Sequence, residues 1–442
     1  MSDQASVFAS KLTDKNNDDV KRRKAYQELR QFLGLDFLEL TPEQADAFLD
    51  GFNEPIRKAL ESQDASSIKG AILAIECIVS LESKNKITRL NRFANYIKNI
   101  LKLRQLPVLE PVACALCRIC VHALAFTTEM VNDQITRSIE WMRDGNFNQL
   151  AALFILRELA QSAPQHFFLH AQSFFDGIFE PLRHRDPEVR EAAGAALFAA
   201  FCVLAEREVR DRESVSPFWR LCVDELGKPQ DKNPAEDKMH GPLLIVLQLL
   251  RLANSHFDLQ WRQHESFAAN FSLSLNRRVG HLDGVGSIIS LAQSETWSGH
   301  DDIMSSVNEW KQPGSNGISE LQPYPESRSC RRFIGDNFTN LSNFVLQSMT
   351  HKPATIQRAI LQILPRLAAF SSQAFRPQLE RAVTHMSNLA KKGEPSVKPN
   401  ALTAIAMLIL AAKTEICKFN DNSLISLPNG FLIFVMVSAR KT

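Results

Sequence analysis

Apolar residues recur along most of this chain at the three- and four-residue intervals of amphipathic helices. The stretch DPEVREAAGAALFAAF, residues 186–201, shows the pattern most clearly. Asp186 suits a helix N-cap, because a carboxylate accepts from the free N–H groups of the first turn, and Pro187 suits the first helical position. One apolar face comprises Val189, Ala193, Ala196, Leu197, Ala200 and Leu204, and a second comprises Ala192, Ala195, Ala199 and Cys202. A helix that is apolar on two faces packs between neighbours.

Seven other segments follow the same plan, with a polar or basic start, a small residue and then an apolar helical pattern. They are residues 20–33, 67–81, 110–124, 148–160, 237–253, 354–370 and 396–412. The small anchors of all eight segments are Ala25, Gly70, Ala113, Ala151, Ala192, Gly241, Ala359 and Ala401. Their separations are 45, 43, 38, 41, 49, 118 and 42 residues. Six of the seven lie near the ~40–47-residue period of HEAT and armadillo helix pairs.

A second helix precedes several of these segments. The preceding helices are predicted at residues 41–62, 89–102, 128–144 and 170–184. Thr41 is the expected N-cap of the first, with Pro42 at the first helical position. No convincing succession of alternating strands appears. The sequence therefore predicts an all-α fold, a HEAT or armadillo-type α-solenoid of helix pairs with one long flexible insertion.

The insertion is expected at residues 277–326, where six of the seventeen glycines and three prolines fall and the helical period is lost. Residues 1–17 are expected to form a flexible N-terminus. Residues 18–276 are predicted to form an N-terminal HEAT block, and residues 327–415 to continue the repeats.

Composition adds few constraints on partners. The chain carries 51 Lys and Arg against 49 Asp and Glu, so its net charge of +2 gives no general reason to expect nucleic acid. The densest basic run, Lys21 to Lys24, is interpreted as a solvated helix face, with a targeting signal or an anionic contact as the alternative.

The cysteines and the termini favour a cytoplasmic protein. Most of the eight cysteines lie in apolar helical segments, which suits a reducing compartment. The N-terminus has no apolar core of a signal peptide. Residues 422–439 are uncharged, but Pro428 and Gly430 interrupt them, so no membrane insertion is expected. Peripheral attachment to endomembranes through partners is compatible with this expectation.

Four short motifs were weighed as catalytic or metal sites. His184-Arg185-Asp186 matches the first letters of a kinase catalytic loop, but Pro187 and Glu191 replace the Leu and Asn of that motif. The Gly284–Gly286 pair lacks the third glycine of a dinucleotide loop. We interpret Asp186 as a helix cap and the glycines as loop residues.

The remaining two motifs contain potential metal ligands. Cys114, Cys117 and Cys120 have the spacing of an iron–sulfur run without its fourth cysteine and proline, and core packing is the favoured interpretation. His166 and His170 are four apart but lack the Glu of a zinc-protease motif, so partly exposed histidines at a helix start are expected. We predict no catalytic, cofactor or metal site, and a binding scaffold.

An ordered set of segments resembles a known family. The segments are residues 69–75, 92–101, 156–160, 174–182, 190–197, 240–251, 326–332 and 363–370. In this order, over about residues 20–415, the chain resembles the N-terminal HEAT-repeat region of the target of rapamycin (TOR) kinases. These are Ser/Thr protein kinases of the phosphatidylinositol-kinase-related class. Residues 416–442 depart from the family pattern and are expected to form a tail of different origin.

The resemblance implies a role without catalysis in this chain. The family's kinase domain lies far C-terminal, after further HEAT repeats and a FAT domain. The N-terminal repeats are similar to an arm that docks the subunit Raptor, helps the complex dimerise and, in animals, contacts the GTPase Rheb. The remaining TOR repeats are a further expected partner. No individual contact residue follows, because the pattern is spread over a surface. The alternatives are a HEAT adaptor of another pathway, such as a transport or phosphatase scaffold, and an enzyme with an unrecognised site.

Overall fold

The protein is described by a computed structural model over residues 2–62, 64–101, 106–123, 127–145, 148–209, 212–226, 235–261, 325 and 327–411. All regular structure within these ranges is helical. The chain divides into two compact units, Met1–Pro242 and Leu243–Thr442.

The first unit contains thirteen labelled helices within its described residues. They are α1 Ser2–Thr13, α2 Asp19–Gly34, α3 Pro42–Asp50, α4 Asn53–Glu61, α5 Ala65–Ile78, α6 Lys86–Ile100, α7 Leu106–Val121, α8 Thr127–Arg143, α9 Gln149–Ser162, α10 Pro164–Leu169, α11 Ala171–Ile178, α12 Pro187–Glu208 and α13 Arg212–Leu226. Short 3₁₀ turns lie at Asp36–Glu39 and Pro181–Arg183. A further helix, α14 Glu236–Ala253, includes the division between the units.

The second unit continues with helices of similar length. They are α15 Arg328–Ser348, α16 Ala354–Phe370, α17 Ser372–Phe375, α18 Leu379–Lys392 and α19 Lys398–Ala411, with a 3₁₀ turn at Arg376–Gln378. Residues 255–261 are also helical. Helix α16 packs against α15, α18 and α19, and α18 packs against α19.

Helices of the first unit form two layers. In the inner layer, α5 packs on α7, α7 on α9 and α9 on α12. In the outer layer, α4 packs on α6, α8 on α11 and α11 on α13. Each inner helix also contacts its outer partner, as α8 contacts α9. This arrangement of stacked pairs is an all-α HEAT-type solenoid, as the sequence predicted, and it explains why inner helices are apolar on more than one face.

All eight small anchors lie on helices and are buried. At two of them a side chain has no room. A Cβ on Gly70 would overlap the carbonyl oxygen of Leu12, and a Cβ on Gly241 would overlap that of Leu182. Glycine is therefore required at these positions for close backbone approach and not for its dihedral freedom.

The N-terminus differs from the sequence expectation. Residues 1–17 were expected to be flexible, but residues 2–13 form α1, which packs on α5 and buries Ala5, Ala9 and Leu12. The expectation was wrong because the helix is short and polar overall, and only three apolar positions mark its buried face. The expected insertion at 277–326, except for residue 325, and the tail at 416–442 lie outside the described residues.

Candidate functional site

Four helices, α2, α9, α12 and α16, carry a buried polar side chain in their first turn. We call these residues the first-turn donors; they are Arg22, Gln149, Arg190 and Gln357. Their exposed fractions are 2%, 3%, 1% and 6%. Each donates to main-chain carbonyls of the turn before its helix or, for Gln149, of the end of the preceding helix α8, so these acceptors have partners.

Arg190 shows the fullest set of contacts. Its Nη1 donates to the carbonyls of His184 at 2.8 Å and Arg185 at 2.9 Å. Its Nε donates to His240 Nδ1 at 3.0 Å, and its Nη2 donates to Glu236 at 2.6 Å. A single guanidinium thereby joins the turn before α12 to the first turns of α14.

The contacts next to Arg190 explain the structural role of the kinase-like triplet His184-Arg185-Asp186. Asp186 caps α12 and accepts from the backbone N–H of Glu188 at 2.9 Å, as predicted. His184 Nδ1 accepts from the backbone N–H of Asp186 at 3.0 Å. Both side chains are therefore engaged in shaping the start of α12.

The basic run near the N-terminus is only partly solvated. Lys21, Arg23 and Lys24 are exposed, but Arg22 is buried. Arg22 donates from Nε to the Leu12 carbonyl at 3.1 Å and from Nη2 to the Asn17 carbonyl at 2.9 Å. The interpretation of the whole run as a solvated face was wrong at Arg22, because the turn between α1 and α2 needs a buried donor.

The cysteine run on α7 is core packing. Cys117 and Cys120 are buried and Cys114 is half-buried. Cys117 Sγ donates to the carbonyl of Ile155 on α9 at 3.6 Å. Burial raises the pKa of the Cys114 and Cys120 thiols to about 12, and it also raises the pKa of Cys117 well above the usual thiol value. No cluster of three or more metal-ligating side chains occurs among the described residues. Neutral thiols at this depth are poor metal ligands.

The histidine pair lies around α10. His170 Nε2 is 3.4 Å from Asn132 Oδ1 on α8, and both side chains are half-buried. Burial, with a smaller effect from His166, lowers the pKa of His170. The pair joins α10 to α8 and gathers no third ligand within the described ranges. Gly284 and Gly286 lie outside the described residues.

Ion pairs also connect successive inner helices. Glu76 of α5 pairs with Arg118 of α7 at 3.3 Å, and Glu110 of α7 pairs with Arg157 of α9 at 2.6 Å. Arg157 also pairs with Glu158 at 2.8 Å. The first two pairs thus link α5 to α7 and α7 to α9.

Two open grooves lie on the first unit. One, of about 640 Å³, runs beside α1 and α4, and its lining hydroxyls of Thr13, Ser62 and Ser67 already donate within their own helices or caps. The other, of about 590 Å³, lies at the turns between outer and inner helices. Its lining residues are Gly145, Gln149, Asp176, Phe179, Glu180, Arg183, His184, Arg185, Glu225 and Asp237. We call it the turn groove.

No pattern in the sequence predicted the turn groove. Its residues come from four separate turns and helix ends, so no local spacing brings them together. Each first-turn donor, in contrast, is a long polar residue within the first turn of its helix, and three of them, Gln149, Arg190 and Gln357, begin a mainly apolar helical pattern. No described helix is both long and apolar enough to span a bilayer.

The fold and these surfaces define a helical-repeat scaffold, and sequence relatives specify its kind. The chain is 26% identical over 437 residues to the serine/threonine-protein kinase mTor of Drosophila melanogaster, covering 92% of this chain and 17% of the fly protein. It is 25% identical over 416 residues to the target of rapamycin homolog of Caenorhabditis elegans, covering 87% of this chain and 14% of the worm protein. The homologues of this chain are TOR kinases, and the match fits an N-terminal HEAT-repeat region.

The plant relatives match a shorter stretch. The serine/threonine-protein kinase TOR of Arabidopsis thaliana is 29% identical over 231 residues, covering 51% of this chain and 9% of the plant protein. The chain thus spans less than a fifth of the length of these curated relatives.

Comparison with models of protein families gave no match. Among solved structures, a mutant of Kap121p is 13% identical with a TM-score of 0.40, covering 96% of this chain and 40% of its own. The karyopherin Kap121p bound to the SUMO protease Ulp1p is 14% identical with a TM-score of 0.41, covering 99% of this chain and 41% of its own. These TM-scores are low, so the assignment of the fold rests on the helix packing described above and not on these structures.

Proposed function

We propose that this chain is a protein-binding scaffold that docks regulatory subunits for TOR growth and nutrient signalling. The observation that carries the proposal is the homology to TOR kinases over 92% of a chain that folds as stacked helix pairs. A stacked array offers a long surface on which many weak contacts add up to stable binding. The partners proposed by resemblance are a Raptor-like subunit, the GTPase Rheb and the remaining TOR repeats.

The proposal assigns no catalysis to this chain. The match covers only a fraction of each kinase relative, and the one kinase-like triplet is occupied by capping and turn contacts. Purified protein with ATP, magnesium and a peptide substrate should transfer no phosphate above background. Phosphotransfer that a point substitution within this chain abolishes would contradict the assignment.

Location and ligand class follow from the same proposal. We expect a cytoplasmic protein that reaches endomembranes only through its partners. We expect no nucleic-acid binding, because the net charge of +2 provides no basic surface in excess. Imaging of the tagged chain with and without depletion of a Raptor-like subunit tests the location.

Co-purification with Raptor and with Rheb tests the docking role. The stacking variant Ala196→Phe overpacks a position with no exposed surface on α12, which we expect to cost about 1–3 kcal/mol and to weaken binding. Glu188→Gln, on the exposed face of the same helix, is the matched control. Circular dichroism confirms that each variant is folded.

The outcomes separate the candidate functions. Retention of Raptor or Rheb by the wild-type chain supports the proposal. A folded wild-type chain that retains neither partner refutes it and leaves the HEAT adaptor of another pathway, in transport or as a phosphatase scaffold, as the alternative to pursue.

A further inference from the structure

The turn groove combines residues from successive helix pairs. Gly145 lies between α8 and α9, Arg185 lies between α11 and α12, and Glu225 and Asp237 belong to α13 and α14. Because two turns, the ends of α11 and α13 and the start of α14 contribute, the groove follows the stacking direction. Its volume of about 590 Å³ accommodates a few side chains of an extended segment and is too small for a folded domain.

The charges of the groove are unbalanced. Arg183 pairs with Glu225, so these two charges offset each other. Asp176, Glu180 and Asp237 form no ion pair with another residue in the described part of the chain, and Arg185 is the one cation left among the lining residues. Three carboxylates against one guanidinium give a negative groove on a chain whose overall charge is positive.

The groove also has a buried acceptor without a partner. Gln149 lines it, with only 3% of its surface exposed. Its Nε2 donates to the Met142 carbonyl at 2.8 Å, which fixes the orientation of the amide. Its Oε1 then has no hydrogen-bond partner within the described residues. A buried acceptor left without a donor is unfavourable, so a ligand that supplies an N–H group gains from reaching it.

We propose that the turn groove docks a lysine- or arginine-bearing segment of a partner protein. A long cationic side chain matches both features, because its charge complements Asp176, Glu180 and Asp237 and its N–H groups can supply the donor that Gln149 Oε1 lacks. The sign of the charge excludes phosphate groups and acidic segments as the preferred occupant. The inference deepens the proposed scaffold function and rests on it for the identity of the partner class.

Peptide binding to the full chain tests the groove directly. The probe is a fluorescein-labelled ten-residue peptide of alternating Arg and Ser, with a Glu and Ser peptide as its counterpart. The groove variant is Asp176→Asn with Glu180→Gln and Asp237→Asn. The matched control removes the same charge from exposed positions elsewhere, by Asp36→Asn with Glu39→Gln and Glu43→Gln.

The groove variant should bind the basic peptide about tenfold more weakly than the wild type, whereas the control variant should stay within about twofold. Arg185→Glu should tighten binding, which a loss of folding could not cause. Equal loss in both triple variants, or unchanged binding in the groove variant, overturns the proposal. If the wild type still retains Raptor in that case, only the groove assignment fails and the scaffold function stands.

Discussion

Arg190 Nε donates to His240 Nδ1 across 3.0 Å, and so connects α12 to α14 through two residues that are fifty apart in sequence. The histidine accepts through Nδ1, so the contact requires that nitrogen to be unprotonated. The same guanidinium holds the turn before α12 and reaches Glu236. One side chain therefore closes a turn and sets the spacing to the next repeat.

Replacing this side chain should destabilise the first unit. We expect Arg190→Leu to cost about 2–4 kcal/mol, because two carbonyls and His240 lose their donor in a buried site. Arg185→Leu, at an exposed neighbour, should change stability by less than about 0.5 kcal/mol. Urea denaturation followed by circular dichroism measures both. Equal midpoints for the two variants would show that the buried network contributes little.

Close helix approach should make Gly241 intolerant of a methyl group. Gly241→Ala would place a Cβ against the Leu182 carbonyl and should cost about 1–3 kcal/mol. Gly335, inside α15, has open space where a Cβ would lie, so Gly335→Ala should stabilise the protein by about 0.5–1 kcal/mol through helix propensity. Melting temperatures should therefore move in opposite directions, and a shared direction would argue against the packing described here.

The thiols of α7 should be unreactive in the native protein. A pKa of about 12 for Cys114 and Cys120 leaves almost no thiolate at neutral pH, and the thiolate is the reactive form. A disulfide reagent at a pH of about 7.5 should label the same number of thiols in the folded wild type as in the folded variant in which Cys114, Cys117 and Cys120 are changed to Ser. In guanidinium chloride the two proteins should differ by three thiols. Rapid native labelling that the substitutions remove would contradict the core assignment.

Glu76 should lower stability at neutral pH. Burial raises the pKa of this carboxyl, an effect that the guanidinium of Arg118 opposes and the charge of Glu158 adds to. A carboxyl whose pKa is higher in the folded state contributes stability below its unfolded pKa and loses that contribution as pH rises through the folded value. Glu76→Gln should therefore stabilise the protein at pH 7.

The advantage of Glu76→Gln should shrink as pH falls through the raised pKa of the folded protein towards the ordinary carboxyl value, because the wild-type side chain then becomes neutral too. Denaturation midpoints of both proteins, determined at several pH values from about 3.5 to about 7, measure this dependence across the ordinary carboxyl pKa. Glu54→Gln is the control. The hydrogen bond from Arg57 lowers the pKa of Glu54, so the effect of this substitution on stability should depend on pH with the opposite sign. A Glu76→Gln protein that is less stable at pH 7 would show that pairing with Arg118 outweighs burial.

The repeats could be predicted from the sequence because they depend on the local spacing of apolar, small and helix-capping residues. Asp186 capped the predicted helix, Thr41 formed a capping box with Gln44, and all eight anchors lay on buried helix faces. The prediction that Arg22 is exposed was wrong, because the polarity of each residue in a basic run, taken alone, indicates a solvent-exposed side chain. The buried position of Arg22 depends on the carbonyls of Leu12 and Asn17, which only the folded turn presents.

The predicted division of helices was less accurate where a turn breaks a continuous pattern. Residues 41–62 were predicted as one outer helix, but the structure has α3 and α4 with Gly51 and Phe52 between them. The apolar period continues through this break because both helices cover the same core, so period alone does not reveal it. The turn groove was not predictable for a related reason, since its charges meet only after several pairs have stacked.

The first-turn donors recognise main-chain oxygens, which every residue possesses. This part of the closure of a turn does not depend on the side chains that the turn carries, as Arg190 holds His184 and Arg185 through their carbonyl oxygens. Substitutions at the turn leave these main-chain contacts in place. The rim of the array can diversify between descendants of one ancestral chain while its interior stays nearly constant, so new binding preferences can arise there without a loss of foldability.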